Sequence, residues 1–265
     1  IIFGVGGVGS WCAEALVRTG FRRLTIVDSD RVCLTNINRQ LYALQSTVGQ
    51  RKAEVAARRC LDIDPSIRVH PLCMTYDAQH REEFFAARYD YIIDAIDLVS
   101  CKLDLIQQAQ ERGIPIISAL GTGNKLDAAA VRVADISKTA MCPLARVMRK
   151  ELSKRGIRHL KVVYSQEEAL TPTGWEEEAA ALGKRQIPGS VAFVPGAAGL
   201  LLAARSDYIE VNGRRYPRTP VALSEQPVSD GGGYHALWGA AEERGRGHEA
   251  VDVAEAAVAQ SAKAG

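Results

Sequence analysis

The chain has 265 residues, 47% hydrophobic and 24% charged, with a formal net charge of +2 at pH 7. This is the make-up of a globular protein of one domain with appendages or two small ones, and it excludes a disordered or fibrous chain. No apolar run approaches the roughly 20 residues of a membrane span and no secretory leader opens the chain, so a cytoplasmic protein with no membrane partner is expected; affinity for nucleic acid would have to come from a local patch.

The chain opens inside a strand-like run, Ile1-Ile2-Phe3, with no Met, which points to an N-terminal truncation. Residues 1–5 read as a strand running into glycines, 8–19 as a helix stopped by Gly20, and 24–27 as a second strand ending at Asp28. Helical composition covers residues 47–61. Strands are expected at 68–74 and 91–96, a helix at about 100–112, and a strand at 116–119 behind the turn Gly113-Ile114-Pro115. This β-α-β order predicts an α/β fold: a doubly wound, Rossmann-like, mostly parallel sheet covered on both faces.

The second half is less regular. A strand is expected at 131–136, a helix at 143–155 with Pro143 early and Gly156 just past its end, and a strand at 160–164. Residues 165–184 are polar, carry Pro172, Gly174 and the acids Glu176 to Glu178, and read as a mobile loop. Residues 193–204 form a small-residue helix in which Gly196 and Gly199 permit close packing. Residues 208–211 and 215–217 flank Asn212-Gly213, a hairpin signal, and from Gly231 the Ala/Gly/Glu-rich tail reads as disordered. The expected division is a main domain over 1–204 and a mixed C-terminal extension over 205–265. The six cysteines form no CxxC pair, which argues against a structural zinc site and against a secreted disulfide framework.

Gly4-Val5-Gly6-Gly7-Val8-Gly9 follows a strand and opens a helix. Glycines let a backbone approach phosphate closely, and a helix N-terminus favours its charge. Asp28, at the end of the next strand, is placed to accept hydrogen bonds from ribose hydroxyls. At this point NAD and ATP are equally good ligands, and a tight turn with no ligand is the bland reading. Thr35-Asn36-Ile37-Asn38-Arg39-Gln40 and Val48-Gly49-Gln50-Arg51-Lys52 favour ATP. Attack of a carboxylate on the α-phosphorus gathers negative charge on the phosphate chain, which Arg39 and Lys52 would meet; hydride transfer has no use for them. The bland reading of both is solvated surface.

The stretch GVGGVGS…VDSD…TNINRQ…VGQRK…IIDAID resembles the ThiF family, adenylyltransferases related to ubiquitin-activating enzyme, over residues 1–119. The resemblance implies ATP with magnesium. Gly4, Gly6, Gly7 and Gly9 would form the nucleotide loop, Asp28 with Asp30 would hold the ribose side, and Asn36, Arg39 and Lys52 would face the phosphates. Asp97, in Asp94-Ala95-Ile96-Asp97, would help hold the magnesium; a carboxylate at the end of a parallel strand suits a hard cation there, and capping the next helix is its alternative role. Arg39, Lys52 and Asp97 are the expected catalytic residues. The family is typically homodimeric, and in some relatives an Arg from a segment before the first strand reaches the partner's ATP.

Gly121-Thr122-Gly123-Asn124-Lys125, Cys142-Pro143-Leu144-Ala145-Arg146 and Gln186-Ile187-Pro188-Gly189-Ser190 look like the branch that acts on threonylcarbamoyladenosine in tRNA, adenylating its carboxylate and cyclising it with net loss of water. That resemblance reaches about residue 204. The expected function is therefore an ATP-dependent dehydratase whose partner is tRNA. The alternatives are activation of a ubiquitin-like sulfur-carrier protein, an NAD-dependent oxidoreductase and a non-catalytic nucleotide-binding scaffold; a sulfur-relay partner is conceivable. A tRNA substrate calls for a basic surface, and helix 143–155 offers Arg146, Arg149, Lys150 and Lys154 opposite an apolar stripe of Leu144, Val147, Met148 and Leu152. A solvated helix face is the competing reading. Cys142, before that helix, reads either as an acyl acceptor or as a small buried residue, the second being preferred.

Overall fold

A computed structural model describes residues 1–171, 189–206, 208–211 and 214–217. Much of the expected mobile loop with its acids, the turn Asn212-Gly213 and the tail from Gly231 lie outside the described residues. The sheet has seven strands: β1 (Ile2–Phe3), β2 (Arg23–Val27), β3 (Arg68–Leu72), β4 (Ile92–Asp94), β5 (Ile116–Ala119), β6 (Val131–Asp135) and β7 (Lys161–Ser165). Their order is β3-β2-β1-β4-β5-β7-β6, parallel except for the antiparallel edge pair β6–β7. The helices are α1 (Gly9–Arg18), α2 (Lys52–Ile63), α3 (Arg81–Phe84), α4 (Val99–Glu111), α5 (Pro143–Lys154) and α6 (Phe193–Ser206). A separate hairpin pairs β8 (Tyr208–Val211) with β9 (Arg214–Pro217). The expected doubly wound, mostly parallel sheet is what the chain forms.

Alternation along each strand divides the core between the two faces. Ile2, Ile26, Ile93, Ile117 and Val163 join the cluster under α1, α2 and α6. Their strand neighbours Phe3, Val27 and Ile92 join the cluster of Tyr76 and Phe84, while Val162 packs with Met148 and Leu152 of α5. Strands buried on both faces explain the near-continuous apolar runs that mark them in the sequence.

The expected helix at 47–61 begins later, at Lys52. Gly49 has φ +84°, and the amide of Gly49 and carbonyl of Gln50 are spent on Val32, with Arg31 bridging Arg51. The preceding residues thus form an antiparallel clasp instead of a first helical turn, and Lys52 is left at the helix start beside Asp30. The short α3 and the 3-10 turn Leu34–Asn36 carry no clear periodicity and were not foreseen. On α5, Ala145, Met148 and Leu152 are buried, whereas Val147 is 46% exposed, so the inward stripe is displaced from the expected one.

The glycine loop folds tightly. Gly4 has φ +86°, and a Cβ there would stand 2.6 Å from the carbonyl oxygen of Ala95. A Cβ on Gly9 would stand 1.8 Å from the carbonyl oxygen of Gly4. On the outer side, α6 lies against α1 so closely that a Cβ on Gly199 would meet the Val8 carbonyl at 2.3 Å, which is the close packing its small residues suggested.

Helices α1 and α2 are tied by Glu14, which is buried and receives two hydrogen bonds at 3.0 Å from Arg59 and one at 2.8 Å from Arg18. Burial pushes its carboxyl up, but the two guanidinium groups more than offset this and hold it below the usual carboxylate range.

Two stability measurements follow from this packing. Gly9→Ala should lose about 2–3 kcal/mol in urea unfolding, because backbone must move, while Gly6→Ala, whose Cβ would meet nothing nearer than the Gln40 amide at 3.6 Å, should lose less than about 1 kcal/mol. Glu14 has a lowered folded pKa, so its contribution is present above the unfolded carboxylate value and fades as pH falls through the folded one; the destabilisation caused by Glu14→Gln, read from urea midpoints, should shrink steadily below about pH 4.

Candidate nucleotide-binding site

Strand order reverses between β1 and β4, and ligands of open α/β sheets sit at the carboxyl ends of the strands at such a point. A cavity of about 550 Å³ opens there. Gly4, Gly6 and Gly7 form one wall, with Asp28 and Asp30 after β2, Arg39 and Lys52 beyond them, and Asp97 after β4. Residues 121–123 and Leu144 line the cavity as well, and Pro195 closes on the glycine loop, its Cβ 3.3 Å from where a Cβ on Gly7 would stand. Helix α1 starts without a side-chain cap, so its first amides have no side-chain acceptor of their own, as an anion site at a helix N-terminus requires.

Asp28 is held in place by the chain itself. Oδ2 accepts from the Val5 amide at 2.9 Å and Oδ1 from the Asp30 amide at 2.9 Å. Burial raises its carboxyl above the usual range, although the Val5 amide and Lys52 pull the other way. A carboxylate has about four acceptor positions, so lone pairs remain for a pair of ribose hydroxyls. Lys52 is buried and its Nζ lies 2.7 Å from Oδ2 of Asp30, which is itself exposed. The Arg39 stem runs along Gly7, and its Nη1 donates to the Thr35 carbonyl at 3.0 Å and Asn38 Oδ1 at 2.9 Å. Trp11 Nε1 donates to the Arg39 carbonyl at 3.2 Å, which fixes that backbone over α1.

Asp97 lies at the cavity, exposed, with no hydrogen bond or ion pair among the described residues. The helix-capping role is not realised: α4 is preceded by Leu98 and has no side-chain cap. Asp97 is thus a carboxylate without a partner among the described residues at the edge of the glycine loop, and it could hold a cation there. Two expected residues stand back from the wall. Gly9 packs against Gly4, and Asn36 is buried in the 3-10 turn, where its Oδ1 accepts from the Cys33 amide at 3.1 Å and its carbonyl receives the Arg39 amide at 3.1 Å. Asn36 thus shapes the segment that presents Arg39.

A buried group behind this cavity carries no recognisable motif in the sequence. Asp94 and Lys102 are fully buried and 2.7 Å apart; Asp94 also accepts from Ser118 Oγ at 2.5 Å and from the Ile96 amide at 3.1 Å. A lysine on the apolar face of α4 and an acid ending an apolar strand were the available signals. Lys125 was also passed over: it is buried, donates to the Ser165 carbonyl at 2.9 Å, and burial pulls its ammonium below the usual lysine value.

The basic face of α5 divides. Arg149 is half-buried and donates to the Thr139 carbonyl at 2.9 Å and its Oγ1 at 2.7 Å. Lys154 pairs with Glu151 at 2.7 Å. Arg146 and Lys150 are exposed and unpaired among the described residues. Cys142 is buried, and its Sγ accepts from the Ala145 amide at 3.5 Å as the cap of α5. No helix among the described residues is long and apolar enough to cross a membrane.

Comparison with known proteins agrees with this geometry. The ThiF family pattern matches residues 1–206. The chain is 43% identical over 208 residues to the tRNA threonylcarbamoyladenosine dehydratase of Bacillus subtilis, covering 76% of this chain and 82% of the relative. It superposes on the crystal structure of the Escherichia coli tRNA N6-threonylcarbamoyladenosine dehydratase in complex with ATP with a TM-score of 0.69 and 33% identity, covering 77% of this chain and 82% of that one. Likeness to the molybdopterin-synthase adenylyltransferase of Escherichia coli is weaker, 30% over 118 residues, or 44% of this chain and 47% of the relative. By its glycine loop, its strand-end acids and the match over residues 1–206, the chain belongs to the ThiF family.

Proposed function

We propose that this protein is an ATP-dependent dehydratase that adenylates the carboxylate of threonylcarbamoyladenosine in tRNA and cyclises it. The observation that carries the reading is the convergence of Asp28, Arg39, Lys52 and Asp97 on one cavity behind a glycine loop, in a chain 43% identical to a dehydratase of that substrate. The carboxylate oxygen attacks the α-phosphorus of ATP, the α–β bridging bond breaks, and pyrophosphate leaves. Attack of the neighbouring carbamoyl group on the resulting acyl-adenylate then closes the ring, expelling AMP and releasing a proton. The sum is loss of water at the expense of ATP.

Each protein group has one task in this scheme. Asp28 holds the ribose through its remaining lone pairs. The loop amides and the start of α1 hold phosphate oxygens. Lys52 is anchored on Asp30 and presents a compact charge, whereas Arg39 offers a fork of donors for charge that grows as the α-phosphorus is attacked. Asp97 would hold magnesium, which would add positive charge beside the phosphates. An NAD-dependent oxidoreductase would leave Arg39, Lys52 and Asp97 without a task. Activation of a sulfur-carrier protein is favoured by no feature of the cavity. We further propose a homodimer, as in the family, which light scattering of the purified protein would test.

The function is tested by pyrophosphate release from ATP with tRNA bearing the threonylcarbamoyl group and with the same tRNA lacking it. Release should depend on the modified tRNA; equal rates with both would overturn the assignment.

Arg39→Ala should lower kcat by about 100-fold or more with ATP affinity within a few-fold, because its partner charge develops only in the transition state. Normal turnover with weakened ATP binding, read by steady-state kinetics and calorimetry, would contradict this role.

Arg146 and Lys150, free on the open face of α5, are proposed to hold tRNA phosphates. Changing both to Gln should weaken tRNA binding, flatten its salt dependence by about two units of log–log slope and leave ATP binding intact. Arg149→Gln should instead lower the thermal midpoint, since Thr139 loses its donor. Unchanged tRNA affinity across a salt series would reduce α5 to a solvated helix.

A further inference from the structure

Two non-glycine residues of the described chain have left-handed backbones, Asn124 at φ 58° and Met141 at φ 62°. Both lie on segments that run into the cavity lining, Asn124 just after residues 121–123 and Met141 three residues before Leu144. Met141 also precedes Cys142, whose Sγ would lie 3.4 Å from a Cβ on Gly121. Asn124 has a structural reason for its backbone. Its amide donates to the Gly189 carbonyl at 2.8 Å and its Oδ1 accepts from the Gly189 amide at 2.6 Å, tying the wall to the segment before α6. Asparagine also tolerates this region of backbone space.

Met141 makes no such tie among the described residues. The Cys142 amide donates to the Ala140 carbonyl at 2.7 Å, closing a three-residue turn around a central residue of positive φ, the rare and strained form of that turn. The turn is clamped on both sides. Thr139 is held by Arg149 and by its own hydroxyl on the Ile136 carbonyl at 2.7 Å, and Cys142 is held by Ala145. The product of this strain is an apolar side chain left 58% exposed. Leu144, three residues on, lines the cavity, and Leu98, on the β4 side of the same cavity, is 59% exposed. Strain retained in the segment that leads into cavity-lining Leu144, with no hydrogen bond of the Met141 side chain among the described residues, points to a ligand.

The surrounding charge says which ligand. Exposed cations precede and follow Met141 on the same segment, at Lys138, Arg146 and Lys150. A polarisable thioether between cations matches an unpaired stretch of RNA, which presents flat bases between phosphates. Resting on the function proposed above, we infer that Met141 is a base-contacting residue: its side chain packs on a nucleobase adjoining the adenosine whose substituent enters the cavity, while Arg146 and Lys150 hold the flanking phosphates.

The test uses Met141→Gly and Met141→Leu in the full chain, with tRNA-dependent pyrophosphate release and thermal unfolding as readouts. Glycine relieves the backbone strain, so Met141→Gly should raise the thermal midpoint. It should also raise KM for tRNA roughly three- to tenfold, with KM for ATP and kcat at saturating tRNA unchanged. Met141→Leu keeps the apolar bulk and should hold KM for tRNA within about twofold. A stabilised Met141→Gly protein with the parent's KM for tRNA would overturn the inference and leave the turn a feature of the fold alone. A change in KM for ATP equal to that for tRNA would also overturn it, by placing the effect on the nucleotide. If the parent releases no pyrophosphate with the modified tRNA, the proposed function falls and this inference with it; if the parent responds and Met141→Gly matches it, only this inference falls.

Discussion

The site depends on one close approach: the backbone after β1 lies directly on the backbone after β4. A Cβ on Gly4 would stand 2.6 Å from the Ala95 carbonyl oxygen, and one on Gly9 would stand 1.8 Å from Gly4 itself. This contact narrows the crevice at the point where strand order reverses. It also sets the start of α1 and the turn that carries Asp97 at the same cavity. The two strands pair in parallel with Phe3 opposite Asp94, so the loops that leave them begin level with each other. The glycine loop and the Asp97 carboxylate are thus brought to one cavity by a steric condition that side chains would violate.

A rigid support lies beneath that contact. Asp94, Lys102 and Ser118 join β4, α4 and β5 through a buried ion pair and a hydroxyl, and Asp94 also receives the Ile96 amide inside the turn leading to Asp97. Such a pair adds little net stability over a well-packed apolar group, but removing one partner costs roughly 3–5 kcal/mol. Its effect here is on geometry. The turn between Asp94 and Asp97 has one hydrogen-bonded arrangement, and Asp97, which carries none of these bonds, is left to the cavity. The same division of labour recurs on the other side. Asp28 is bound by two backbone amides, Lys52 is anchored on Asp30, and Asn36 builds the turn before Arg39.

Charge on α5 is divided in a related way. Arg149 is spent on the loop that leads into the helix and Lys154 on Glu151, which leaves Arg146 and Lys150 facing outward. The inward anchoring of Arg149 is what clamps Thr139 and, through it, the turn at Met141. A cluster that looks uniform in sequence therefore contains one cation spent on the turn before α5 and two that are exposed and unpaired among the described residues.

Alternation and glycine placement were legible in the chain without any structure. Apolar runs of strand length, separated by helical segments, determined an α/β fold with a parallel sheet, since parallel strands need crossover helices that cover both faces. The glycine loop with Asp28 pointed to a nucleotide, and Arg39 and Lys52 favoured ATP over NAD, because these residue types are short-range signals; the role of Asp97 came with the resemblance to the ThiF family. What only the tertiary structure decided involves contacts distant along the chain. The clasp of Gly49 and Gln50 on Val32 moved the start of α2 to Lys52, and the burial of Asp94 with Lys102 and Ser118 tied β4, α4 and β5 together behind the site. Residues 121–123, Leu144 and Pro195 came to line the cavity only when β5, α5 and α6 were assembled around it. Periodicity reports which face of an element is apolar; it does not report what that face meets, and Arg149 and Val147 exchanged their expected settings for that reason.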